Sequence, residues 1–153
     1  MFIFKNSLEI VLCILLSFLT IITFSQVVAR YVFEAPLSWS EELARFILLW
    51  LAMLSAAYGF KIKTHFALMF IVNRISFKFR IYLYFYVTLI VSIFLIIFIY
   101  YSFIFVMGVN GHLAPALQIP MEIPYSSTIV GGILMLYYVL INLVDEIKKN
   151  KIN

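Results

Sequence analysis

The chain has 153 residues, of which 65% are hydrophobic and only 12% are charged, and it carries a formal net charge of +4. So much apolar surface exceeds what a soluble core can bury, which excludes a soluble globular domain and indicates an integral membrane protein. The basic balance reflects membrane topology and attraction to anionic lipid, and it makes no case for nucleic-acid binding.

Uncharged runs recur over residues 10–29, 46–60, 81–111 and 123–144. A membrane-crossing helix needs roughly 20 apolar residues, so three of the runs qualify outright and the second is short. The first predicts a span over 8–29. A cleaved leader is the competing reading of its "VVA" before Arg30, but the run is about twice a usual leader core and a single lysine precedes it. Cys13, the one cysteine, falls in this span, so no intramolecular disulfide is possible.

The stretch "RYVFEAPLSWSEELARFILLW", residues 30–50, lengthens the second run. Pro36 closes the preceding connection, and Ser38 followed by Glu41 has the spacing of a capping box, in which two side chains satisfy backbone donors at a helix start. A helix over 38–60 is then about 34 Å long, enough to cross. Glu41 and Glu42 in its first turns suit the helix dipole, and both lie at helical pairing distance before Arg45. Trp39 falls at headgroup level. Trp50 falls near mid-membrane, where tryptophan is uncommon, and is expected to pack against another helix.

After the second span, "KIKTHFALMFIVNRISFKFR" has an apolar core too short to cross and basic residues on both sides. This pattern predicts a short interfacial helix over about 64–76, with a plain loop as the alternative. Spans over 81–107 and 125–144 complete the chain. The expected fold is thus an all-α, single membrane domain over 1–153 with four transmembrane helices and a short interfacial cytoplasmic helix. Nine lysines and arginines fall on the side of the termini and the middle connection, against Arg30 and Arg45 on the other. By the positive-inside rule both termini are cytoplasmic, and residues 30–45 and the loop 108–126 face outward.

The residues offer no catalytic constellation. The uncharged cores contain no charged side chain of the kind that relays protons or binds ions in membranes, and Gln26 with scattered Ser and Thr is suited to helix-to-helix hydrogen bonds. His65 and His112 fall at opposite faces and cannot ligate one haem iron. No metal spacing or nucleophile-base pair is present. What the helices do carry is contact surface. Ala52 with Ala56, Ser55 with Gly59, Ser127 with Gly131 and Thr128 with Gly132 are small pairs at a four-residue spacing, which lets helices approach closely in lipid.

Residues 30–68 resemble the signature region of the small membrane subunit (DctQ-like) of tripartite ATP-independent periplasmic (TRAP) transporters. The resemblance rests on Arg30, Tyr31, Phe33, Pro36, Leu37, Trp39, Glu41, Glu42, Leu43, Ala44, Arg45, Trp50, Ala56, Ala57, Lys63 and His65, in that order. Length and four-span topology agree with it across the chain. It departs in "LSAA", in the residue after His65 and in the entry to the fourth span, which bears on subfamily and substrate.

This resemblance implies a non-catalytic subunit of a sodium-coupled secondary transporter for organic acids, multi-pass in a bacterial inner membrane. It further implies that the chain pairs with a large polytopic subunit holding the sodium and substrate sites, and helps position a periplasmic substrate-binding protein. The chain itself would hold no cofactor. Arg30, Tyr31, Pro36, Trp39, Glu41, Glu42, Arg45, Trp50 and His65 are the expected structural and interaction anchors. A membrane-anchor subunit of a redox or transferase complex is the alternative function for the same helices.

Overall fold

The computed structural model describes residues 7–35, 37–62 and 77–152, the side chains of 77–81 and 149–152 excepted. Among the described residues four helices follow one another: α1 (Ser7–Tyr31), α2 (Ser38–Lys61), α3 (Phe77–Gly108) and α4 (Glu122–Ile152). Each is long and apolar enough to cross a membrane, α3 over Tyr82–Gly108 and α4 over Glu122–Lys148. Helices are the form these runs must take, because hydrocarbon offers no partner to a backbone N–H or C=O that its own segment leaves free. The expected interfacial helix over 64–76 lies outside the described residues.

The ends of the helices follow from local chemistry. α1 has Glu9 in its first turn and Arg30 in its last, both favourable to the dipole. It closes with the Val32 N–H on the Val28 carbonyl at 2.9 Å and the Ala35 N–H on the Ala29 carbonyl at 3.0 Å, while Glu34 takes a left-handed φ of 51°. α4 accepts the fully buried Pro124 because proline in a first turn removes a donor that would have had no helical partner anyway.

The start of α2 differs from the expected capping box. Ser38 is already helical, and the cap is Leu37 in an extended conformation with no side-chain hydrogen bond. The box needs its serine outside the helix, and a start one residue earlier removes it. Ser40 turns back instead, donating its hydroxyl to the Leu37 carbonyl at 2.7 Å, and Glu41 is left to pair with Arg45.

The helices pack in the order α1 on α2, α2 on α4 and α4 on α3. The core lies where three of them converge: Ala57 of α2, Leu95 of α3, and Met135 and Val139 of α4 are buried together, with Met53, Phe60 and Val91 against them. Two adjacent glycines of α4 allow this convergence. A Cβ on Gly131 would stand 2.7 Å from the Met53 Cβ of α2, and one on Gly132 would stand 2.8 Å from Ile99 Cγ1 of α3. Successive helical residues diverge by about 100°, so the pair serves two neighbours at once.

The remaining small pairs behave differently. Ala56 packs against the core, whereas Ala52 and Ser55 are exposed. Outside the core, α1 and α3 present bulky apolar side chains such as Ile14, Phe24, Phe94 and Ile97, as suits helices whose surrounding solvent is lipid.

Candidate interaction site at the loop end of the helices

The first turns of α2 and the α3–α4 loop meet at one end of the molecule. The loop, residues 109–121, is a closed structure held mainly by its own backbone. The Ala114 N–H donates to the Ile119 carbonyl and the Met121 N–H to the His112 carbonyl, both at 2.9 Å, and Leu113 and Pro120 form an antiparallel bridge. The Gln118 N–H donates to the Ala114 carbonyl at 2.9 Å. Gly111 and Gln118 take left-handed φ values of 81° and 55°, which turn the chain at the two sides of the bridge. Ala114, within the loop, is fully buried.

Two carboxylates tie the loop to the helices. Glu42 Oε2 accepts the Ala116 N–H at 3.0 Å and the Leu117 N–H at 2.8 Å. Glu122 Oε1 accepts the Gly111 N–H at 3.3 Å. Hydrogen bonds from N–H to an ionised carboxylate are among the stronger kinds, and Glu42 draws its two donors from 74 and 75 positions further along the chain. Arg45 was expected to be held by Glu41 or Glu42. The structure divides the two acids: Glu41 takes Arg45 at 3.7 Å, with both side chains about two-thirds exposed in the chain by itself, and Glu42 takes the loop.

Of the other expected anchors, Arg30, Tyr31 and Trp39 are exposed around this end. Trp50 lies half-buried, deeper along α2. Pro36 and His65 lie outside the described residues.

At the opposite end, contacts absent from the sequence reading hold α2 to its neighbours. Asn142 of α4, buried in the helix contact, donates its amide to the Phe60 carbonyl at 2.8 Å. Lys61 lies 3.7 Å from Glu9 of α1 and over the Tyr58 ring. By contrast, Thr20, Thr23, Ser126 and Thr128 return their hydroxyls to carbonyls of their own helices. Their expected helix-to-helix role falls to Asn142. The signal that could have found it was an amide side chain inside an apolar run.

Among the described residues no group of three or more His, Cys, Asp and Glu could hold a metal ion. Cys13 is exposed on α1, and His112 is exposed in the loop. The arrangement suits contact: an ordered, uncharged loop tip beside an exposed ion pair and exposed aromatic side chains.

Comparison with known proteins agrees with this picture. Residues 19–149 match the family model described as tripartite ATP-independent periplasmic transporters, DctQ component. The chain is also similar to a Haemophilus influenzae protein that bears the name TRAP transporter small permease protein, with 29% identity over 144 residues, covering 94% of this chain and 89% of that one.

Proposed function

This chain belongs to the DctQ component family of TRAP transporters, a family of transporter subunits and not of enzymes, and from that premise we propose that it serves a sodium-coupled transporter of organic acids. It is the small permease subunit. In this reading it pairs with a large membrane subunit that holds the sodium and substrate sites, and it helps to dock a soluble periplasmic binding protein. It resides in a bacterial inner membrane with both termini cytoplasmic and the Glu42 end outward. The chain holds no cofactor of its own.

The observation that carries the reading is the family match over residues 19–149. The Lys/Arg distribution supports the orientation, since nine basic residues lie toward one side and two toward the other. The helices support a contact role, because their uncharged cores carry no carboxylate, lysine or arginine from which a transport path of their own could be built.

The test is gentle extraction of native membranes with a tag on the carboxyl terminus, followed by identification of what co-purifies, and sodium-dependent organic-acid uptake in cells with and without the chain. A large polytopic partner together with uptake lost on deletion is the expected result. A partner carrying a redox cofactor, or uptake unchanged by deletion, refutes it.

A further inference from the structure

We infer that Glu42 is a positioning residue: it holds the 109–121 loop in the conformation that receives the soluble binding protein. The inference rests on the proposed outward orientation and docking role and adds to them the residue on which docking depends.

The loop is internally closed by backbone hydrogen bonds, but those bonds fix only its shape. Its side-chain link to α2 is made by the two N–H groups of Ala116 and Leu117 on one Glu42 oxygen. The exposed tip around them, His112, Leu113, Pro115, Ala116 and Gln118, carries no carboxylate, lysine or arginine. An ordered surface of this kind loses little conformational freedom when a partner lands on it, and that preorganisation is what the Glu42 link supplies. Glu41 and Arg45, a turn apart on the same helix as Glu42 and exposed, add charge of both signs to this end of α2.

The experiment has two readouts on Glu42→Ala and Glu42→Gln. The first is amide hydrogen exchange of the chain in lipid nanodiscs. The second is uptake by proteoliposomes containing this chain and the large subunit, measured against the concentration of the binding protein. In Glu42→Ala the Ala116 and Leu117 amides should exchange on the order of tenfold faster, with the Ala114 and Met121 amides, whose acceptors lie within the loop, less affected. The half-saturating concentration of binding protein should rise with the maximal rate retained. Glu42→Gln, which keeps an acceptor oxygen, should fall between. Ala116→Gln, which keeps both N–H donors and adds no charge beside Glu42, should raise half-saturation without faster exchange.

Unchanged exchange in Glu42→Ala overturns the clamp. Faster exchange with half-saturation unmoved overturns the link to docking, as does a loss confined to the maximal rate. If wild-type uptake is indifferent to the binding protein, the docking role itself fails and this inference with it, and the exchange data then stand as a property of the loop alone.

Discussion

The Glu42 carboxylate and the Leu117 N–H, 75 positions apart in the chain, meet at 2.8 Å. The same oxygen also takes the Ala116 N–H at 3.0 Å, whereas the adjacent Glu41 pairs with the exposed Arg45 at 3.7 Å. Neighbouring acids of one helix turn should therefore differ in weight. Glu42→Ala should lower stability by about 1.5–3 kcal/mol, the range for hydrogen bonds to a charged group. Glu41→Ala should cost about 0–1 kcal/mol, as exposed pairs do. Unfolding of the two variants in one detergent measures the difference, and equal losses would contradict the division of labour between them.

The glycines of α4 make a second contrast. Alanine is the better helix former by about 1 kcal/mol, yet Gly131→Ala would place its Cβ 2.7 Å from the Met53 Cβ and 3.2 Å from the Met53 carbonyl oxygen. The backbone of α2 cannot yield as a side chain can. Gly131→Ala should therefore be destabilising, by about 1–3 kcal/mol. Gly132→Ala meets side-chain atoms of Ile99 and Phe98 and should cost less. Gly108→Ala, with nothing within 4 Å, should be neutral or slightly stabilising. Thermal unfolding of the three variants ranks them, and the reverse order would remove the close α2–α4 approach as the reason for glycine at 131.

Asn142 is 4% exposed and joins α4 to the last turn of α2 through the Phe60 carbonyl. Interhelical hydrogen bonds in membranes are worth about 0.6 kcal/mol on average and up to about 1.7. Asn142→Ala also removes packing volume, so Asn142→Leu is the better probe of the polar contact alone. A loss of about 0.5–2 kcal/mol is expected, read as a shift in the unfolding midpoint. No shift would mean that the amide contributes register and not stability.

Lys61 and Glu9 lie 3.7 Å apart with side chains 22% and 40% exposed, in that order. A double-mutant cycle with Lys61→Gln and Glu9→Gln should give a coupling of about 0–1 kcal/mol. Partial exposure makes the pair accessible to counterions, so the coupling should shrink from low salt to about 1 M salt, where the screening length is about 3 Å. Coupling independent of salt would place the pair in a drier setting than these exposures describe.

Much of the fold was legible before any coordinates. Apolar runs of span length announce the solvent, because a bilayer demands local, continuous hydrophobicity that no distant residue can supply. The four helices cover the four runs, and Glu9 and Arg30 stand where the dipole of α1 favours them. The site was legible in part. The stretch 30–45 stood out by composition, and Glu41 and Arg45 pair at the spacing that a helix dictates. The capping box at Ser38 and Glu41 was an equally local inference and failed, because a helix start shifted by one residue turns a capping serine into an ordinary member of the first turn.

What the sequence alone determined about this protein is therefore its solvent, its helices and the pairings within a helix, all of which depend on spacing along the chain. Only the tertiary structure decided which partner Glu42 takes, since a backbone N–H is present at nearly every residue and leaves no mark by which Ala116 and Leu117 could be singled out. It also sorted small-residue pairs that look alike in sequence. Gly131 turned to α2 and Gly132 to α3, and Ala52 and Ser55 were left exposed. The spacing defines a face of a helix, but which neighbour occupies that face depends on how all the helices pack together.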